Sequence, residues 1–344
     1  MTPLHAVRPE GAPDYLLDVN DLVVHFPAGR KGGKRSFVHA VDGISFRVRR
    51  GTTFGIVGES GSGKSTTAQA VMRLVPVTSG QGVFGDRDIA ELTGKSLRDV
   101  RRHLQIVFQD PFSALNPRRR AGEQIREPLD LLGIGTRSER DERVRKLLAE
   151  VGLPPQAADL FPHQFSGGQR QRLCIARALA PEPDLIVCDE AVSALDVAIQ
   201  AQILNLLKRL QRERGLTYIF ISHDLGVIQQ FCDEVAVMYL GKIVEQAPAA
   251  DIFTAPRHPY TWSLIAAAAP PGAMRDELKR RYLVKGDPPS PVDPPPGCRF
   301  AQRCPSALDV CRQRLPALDA IAPQHYVSCH RNAELEPAVF QGIR

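Results

Sequence analysis

The stretch Thr53-Phe54-Gly55-Ile56-Val57-Gly58-Glu59-Ser60-Gly61-Ser62-Gly63-Lys64-Ser65-Thr66 decides the fold. A compact apolar run meets a glycine-rich turn of pattern G-x-x-x-x-G-K-[ST], which opens a helical stretch from about Lys64 to Leu74. Strand, glycine turn and helix in that order are the setting of a phosphate-binding loop in an α/β fold. Gly58, Gly61 and Gly63 let the backbone curl until consecutive N–H groups face a polyphosphate, and the positive end of the following helix adds to the field. Ser60 and Ser62 complete the cradle, Lys64 supplies a point charge for the β- and γ-phosphates, Ser65 offers a hydroxyl to Mg²⁺, and Thr66 is placed to reach the α-phosphate. A turn that only joined strand to helix would not need the Lys-Ser-Thr ending.

Outward from this loop, Leu185-Ile186-Val187-Cys188-Asp189-Glu190 is a second apolar strand, ending in two carboxylates where strand tips of an open α/β sheet gather ligands. Asp189 is suited to orient Mg²⁺; Glu190, one residue on and pointing differently, is suited to act as general base on the attacking water. Short runs at 105–108 and 218–221, apolar on both faces, read as further central parallel strands. Upstream, 22–26 and 37–41 continuing through 44–48 alternate as antiparallel strands with a loose Gly- and Lys-rich connection at 29–35. Helical segments at 121–133 and 138–151 mark a helical insertion over about 112–165. A hairpin, 235–239 and 242–245, turns at Leu240-Gly241. The six prolines between Gly286 and Gly297 forbid helix or sheet interior and read as an extended spacer before a small cysteine-bearing module. No internal repeat is found.

The 344 residues are 43% hydrophobic and 24% charged, which excludes disorder and fibre. The longest apolar runs are broken by Asp189, His223 and Pro270-Pro271, so none spans a bilayer. Glu10, Asp14 and Asp18 make the N-terminus unlike a secretory signal, so a cytoplasmic chain is expected. A net charge of +6 permits nucleic acid without arguing for it, because the basic blocks 98–102 and 118–120 are interleaved with aliphatic rather than aromatic residues. Seven cysteines, an odd number, argue against a disulfide framework. Cys174, Cys188 and Cys232 sit in apolar settings as core fillers. Cys298, Cys304, Cys311 and Cys329 cluster in the Pro-rich tail and form one candidate metal site, with S₄ coordination suiting zinc or iron–sulfur and the long spacings fitting zinc knuckles poorly.

Phe165-Ser166-Gly167-Gly168-Gln169-Arg170-Gln171-Arg172 resembles the signature motif of the ATP-binding subunits of ABC transporters. It starts a helix whose amides and dipole suit the γ-phosphate of an ATP held by a facing subunit. The resemblance implies a Q-loop at Gln109, a Mg²⁺ ligand that senses the transporter; a D-loop at Ser193-Ala194-Leu195-Asp196; and a switch histidine at His223, which contacts the γ-phosphate. Phe26 is the aromatic assigned to stack on adenine, with Phe37 as competitor. Ala191 departs from the family, which usually has proline there. The implied fold is a P-loop ABC ATPase with an antiparallel β subdomain, a helical insertion and a small cysteine-containing extension, divided as a tail (1–16), the ATPase domain (17–250) and the extension (251–344).

Within that family, Arg257-His258-Pro259-Tyr260-Thr261 and the Pro-rich stretch ending at Cys298 look like the C-terminal extension of oligopeptide and dipeptide importers. Phe108-Gln109-Asp110-Pro111 and Leu115-Asn116-Pro117-Arg118 agree, and 38–43 with 104–108 lean towards the F-type subunit. The resemblance implies hydrolysis of ATP with Mg²⁺, a [4Fe–4S] cluster on the four tail cysteines (zinc being the alternative), a D-type partner ATPase, two membrane permeases, an extracytoplasmic binding protein, no nucleic acid, and a peripheral place on the cytoplasmic face of the membrane. Nickel importers share the extension, and a soluble ABC ATPase acting on nucleic acid or ribosomes is the rival from another class; the single P-loop and the importer-type tail stand against it. The tail is expected to be energetically separate from the phosphate loop far upstream.

Overall fold

The computed structural model describes residues 14–31, 34–269, 273–284 and 286–335. The described residues form two compact units interleaved along the sequence, one drawn from within 1–16, 48–52 and 84–221, the other from within 17–47, 53–83 and 222–344.

In the first unit, the strands Leu104–Val107, Leu185–Asp189 and Thr217–Ile221 pair in parallel, with Leu104 opposite Leu185 and Leu185 opposite Thr217. Every residue of the latter two strands is buried, so continuous apolar runs replace alternation, as both-face burial requires. Helices cover the sheet and form the expected insertion: a short turn Pro111–Ala114, then Ala121–Leu132 and Arg137–Glu150, then 3₁₀ turns at Pro155–Asp159 and Pro162–Gln164. The longer insertion helix starts with a reciprocal cap, in which the Thr136 N–H donates to Glu139 Oε2 at 2.6 Å and the Glu139 N–H to Thr136 Oγ1 at 3.4 Å. Cys174 and Cys188 are buried here, and burial pushes their thiols up to about 11 and about 12, which leaves them inert core fillers.

In the second unit, Tyr15–Lys31 lies between Lys34–Arg49 and Ser79–Phe84 in one sheet. These strands run further than their alternating cores suggest, and only residues 32–33, outside the described residues, separate the first two. The expected tail 1–16 is likewise outside the description up to residue 13, and Tyr15 and Leu16 already belong to the first strand. The strand before the phosphate loop, Thr53–Val57, pairs in parallel with Glu234–Tyr239. Outward from Glu234–Tyr239, the antiparallel strands Lys242–Pro248, His325–Val327 and Asp319–Ala322 follow in order. The cysteine-bearing tail therefore extends this sheet by two strands. The hairpin turns at Leu240 (φ 46°) and Gly241 (φ 78°), both left-handed as a two-residue turn demands.

The Pro-rich stretch is extended as expected, yet it is no free spacer. Val292 bridges Val38, the His39 N–H donates to Pro291 O at 2.9 Å, the Asp293 N–H to Phe37 O at 3.3 Å, and Ser36 Oγ to Asp293 Oδ2 at 2.7 Å. Proline has no N–H to donate, so the strand Lys34–Arg49 supplies the His39 N–H and the Ser36 hydroxyl, and Asp293 returns one N–H.

Glu245, 0% exposed, ties the extension together: it accepts from the Arg257 N–H (2.7 Å) and the His258 N–H (3.0 Å), and lies 2.8 Å from His325 Nε2. His258 is itself buried, and burial pulls its pKa down to about 4, so it is neutral and its Nδ1 accepts from the Tyr260 N–H at 3.0 Å. Replacing Glu245 by alanine orphans two buried N–H groups, each costing about 1–3 kcal/mol. We expect Glu245→Ala to lose at least about 2 kcal/mol in denaturant unfolding, followed by the single tryptophan, Trp262, whose Nε1 donates to Pro256 O beside this junction. An unchanged midpoint would refute the role given to this carboxylate.

Candidate functional site

The phosphate loop belongs to the second unit. Gly61 (φ 76°) and Gly63 (φ 105°) are left-handed, and two of the glycines are demanded by close approach as well: a Cβ on Gly58 would stand 2.1 Å from Met238 O and one on Gly63 2.2 Å from Ala40 O. Lys64 is buried, and its Nζ donates to the loop's own carbonyls, Gly58 O at 2.8 Å and Glu59 O at 2.9 Å. The ammonium is thus held over the mouth of the loop, at the N-terminus of the helix Lys64–Val71, where a phosphate would meet charge and amides together. Ser65 is exposed and Thr66 half-buried on the first turn, Ser62 is buried, and Ser60 is exposed.

The strand carrying Phe26 is tied to this loop. His25 Nε2 lies 2.8 Å from Asp42 Oδ1, the Asp42 N–H donates to Gly241 O at 2.9 Å, and the Gly241 N–H donates to Ser62 O at 2.8 Å. Phe26 itself is half-buried. His25, His39 and Asp42 form a group with metal-type donors, but Arg299 takes the second oxygen of Asp42 and Lys242 adds a further cation nearby. Burial opposes ionisation of Asp42, yet the hydrogen bond with His25 and the Arg299 charge hold its carboxyl below the usual range. The carboxylate is thus already engaged by His25 and Arg299, while the buried His39 Nδ1 lies 3.4 Å from Asp42 Oδ1 without a hydrogen bond. His223, exposed, follows the strand Thr217–Ile221, just ahead of Asp224, whose carboxylate accepts from the Gly226 and Val227 N–H groups and caps the helix Leu225–Phe231.

The first unit carries the carboxylates and the signature. Asp189 is buried at its strand end; Glu190 adopts φ 49°, a left-handed conformation that costs a non-glycine residue about 1 kcal/mol or more. The Glu190 N–H donates to Ile221 O at 3.0 Å, and the Ser193 N–H and Oγ donate back to Glu190 O. Gln109 Nε2 donates to Glu190 Oε2 at 2.9 Å. The residue assigned as metal ligand and sensor therefore also holds the carboxylate assigned as general base, a pairing across 81 positions that no spacing rule reveals.

Ser166 caps the helix Gly167–Leu179: its Oγ accepts from the Gln169 N–H at 3.3 Å and its own N–H donates to Gln169 Oε1 at 2.9 Å. Arg170 braces the entry, Nε donating to Pro162 O at 2.7 Å. Asp196 caps the helix Val197–Arg214 by accepting from the Ile199 N–H at 2.9 Å. A Cβ on Gly168 would meet Ile199 Cγ2 at 2.5 Å, so the signature packs closely on the first turn of the helix that follows the D-loop. Beside the strand leading to Gln109 a groove of about 480 Å³ is lined by Ile106, Phe108, Leu131 and Leu132 with Arg98 and Arg101, and Leu131 is 73% exposed.

In the tail, Cys298, Cys304, Cys311 and Cys329 line one enclosed cavity. All four are free thiols. Burial, with the neighbouring thiols adding repulsion, pushes Cys298 and Cys304 up to about 11. No three of their sulfurs lie within 4.8 Å of one another, whereas four thiolates on one zinc at about 2.3 Å would stand about 3.8 Å apart.

The pattern of the ABC transporter family matches residues 41–193, and that of the oligopeptide/dipeptide transporter C-terminal region matches 244–311. An oligopeptide transport ATP-binding protein of Bacillus subtilis is 48% identical over 319 residues, covering 92% of this chain and 97% of that protein. Among solved structures, cbiO1 from Clostridium perfringens, part of the ABC transporter complex cbiONQ, is 29% identical with a TM-score of 0.60 over 70% of this chain and 91% of its own. The cassette MJ0796, a dimer in a post-hydrolysis state bound to ADP and phosphate, is 28% identical with a TM-score of 0.60 over 68% and 98%. With its motifs, its extension and nearly its whole length matched, the chain belongs to the ATP-binding proteins of oligopeptide and dipeptide ABC transporters.

Proposed function

We propose that the chain hydrolyses ATP to drive peptide import through a membrane complex, and the Gln109–Glu190 hydrogen bond is the observation that carries the chemistry. Gly58, Ser60, Gly61, Ser62, Gly63, Lys64, Ser65 and Thr66 bind the phosphates; Ser65, Gln109 and Asp189 hold Mg²⁺; Phe26 stacks on adenine. Glu190, oriented by Gln109, takes the proton from the attacking water, and His223 contacts the γ-phosphate. Ser166, Gly167, Gly168, Gln169 and Asp196 act on the nucleotide of a second ATPase subunit, a reading the dimeric state of MJ0796 supports. The partner is a D-type subunit, and two permeases and an extracytoplasmic binding protein complete the complex. Among the described residues no helix is long and apolar enough to cross a membrane. The chain attaches peripherally, at the cytoplasmic face, through the permeases. The groove around Phe108 and Leu131, apolar with a basic rim and adjoining Gln109, suits a short amphipathic permease segment.

The four tail cysteines hold a [4Fe–4S] cluster. Four free thiols lining one cavity support this assignment. When bound, the cluster supplies cross-linking positive charge to buried thiolates in a tail with little apolar core.

Glu190→Gln is expected to retain ATP binding and to lose hydrolysis by at least about 100-fold in the assembled transporter, while Lys64→Ala weakens binding itself. Wild-type turnover by Glu190→Gln would remove Glu190 as the base. Ser166→Arg should bind ATP normally as an isolated chain and fail to hydrolyse it in the complex; equal activity at saturating ATP rejects the two-subunit site. Anaerobically purified protein should contain about four iron and four sulfide per chain; about one zinc, or no metal, overturns the cluster.

A further inference from the structure

The phosphate loop is gripped by the C-terminal module. Glu59, the residue after Gly58, faces Arg303: Nη1 donates to Oε2 at 2.9 Å and Nη2 to Oε1 at 3.1 Å, a planar fork that fixes both groups. The Arg303 side chain is 10% exposed and that of Glu59 31%. Burial alone would lower the Arg303 pKa, but the bonds to Glu59 and Tyr239 raise it above its ordinary value. The Glu59 backbone N–H donates to Tyr260 Oη at 2.8 Å, and the rings of Tyr239, Tyr260 and Phe300 pack at 4.6–5.3 Å. Arg299, buried, donates to Leu240 O and to Asp42 Oδ2, next to the Gly241 that bonds Ser62 O. Both arginines lie between Cys298 and Cys304, in a turn closed by the Cys304 N–H donating to Phe300 O at 2.9 Å.

We propose that Arg303 is a positioning residue for nucleotide, through which the cysteine-bearing module sets the conformation of the phosphate loop and so its affinity for ATP. Lys64 rests on the carbonyl of Glu59, the same residue whose side chain and N–H the module holds. A loop fixed in advance loses less conformational freedom when phosphates arrive, so releasing Glu59 weakens binding. The expected independence of the tail from the loop does not hold: one residue separates Cys298 from Phe300, and Cys304 is covalently next to Arg303.

The proposal rests on the loop being the ATP site. The test uses the full chain, with a fluorescent ATP analogue for Kd and the assembled transporter for KM and kcat. Glu59→Gln, Arg303→Ala and Arg303→Lys should each raise Kd and KM at least about fivefold, with the change in KM exceeding that in kcat, and Glu59→Gln combined with Arg303→Ala should be no weaker than either alone. Cys304→Ser should shift Kd the same way, and less so when Arg303 is already alanine. Wild-type Kd and KM in Glu59→Gln and Arg303→Ala chains that unfold normally by Trp262 fluorescence would overturn the proposal. Normal ATP binding by Lys64→Ala would instead overturn the underlying site. Absence of iron, with ATP binding still weakened in Arg303→Ala, would overturn only the metal assignment and support the positioning.

Discussion

Backbone pressed on backbone around the phosphate loop is the constraint from which the second unit is built. At Gly58 and Gly63 the neighbouring carbonyls of Met238 and Ala40 stand closer than any side chain allows, so the loop is wedged between the end of Glu234–Tyr239 and the strand Lys34–Arg49. The hairpin beyond Tyr239 must then turn within two residues. Leu240 takes a left-handed conformation unfavourable for its side chain, and at Gly241 a Cβ would stand 2.7 Å from His39 O. In return, Gly241 offers its N–H to Ser62 and its carbonyl to Asp42. The loop's shape is inherited from the two strands it is wedged between.

The extension adds to both of these neighbouring sheets. Its Pro-rich segment has few donors of its own and docks through those of Lys34–Arg49, while its last two strands continue the sheet from Lys242–Pro248. Between them, the buried carboxylate of Glu245 replaces what a larger hydrophobic core would do, accepting from two backbone N–H groups and approaching a histidine. This explains the His258-Pro259-Tyr260 triplet chemically. His258 is neutral and caps a helix, Pro259 starts it, and Tyr260 points its hydroxyl at the backbone of the phosphate loop.

The sequence displayed what is local. The glycine-rich loop, the carboxylate pair, the signature and the two-residue hairpin each lie within a few consecutive residues, and their residue types follow from φ, capping or charge alone. Strand lengths were less visible, because Tyr15–Lys31 and Lys34–Arg49 continue through polar residues that carry no apolar alternation. What joins distant residues was invisible: Arg303 to Glu59 spans 244 positions and Arg299 to Asp42 spans 257. Neither arginine shows in the sequence as anything but a surface charge, and the Pro-rich stretch shows its conformation without its docking site.

The chemistry of the Glu59–Arg303 pair separates its contribution to function from its contribution to stability. A pair with one partner 31% exposed is partly screened, and such pairs add about 1 kcal/mol or less to folding. Its energetic weight is therefore small beside that of Glu245, which is fully buried. Its geometric weight is larger: a guanidinium binding both carboxylate oxygens fixes orientation as well as distance, and Tyr260 fixes the same residue's N–H from another side. A single ammonium could match the charge but not the plane. Glu59 thus has its side chain, its N–H and its carbonyl all engaged, the last by Lys64, so any displacement of the module reaches the lysine through one residue whose remaining freedom is small.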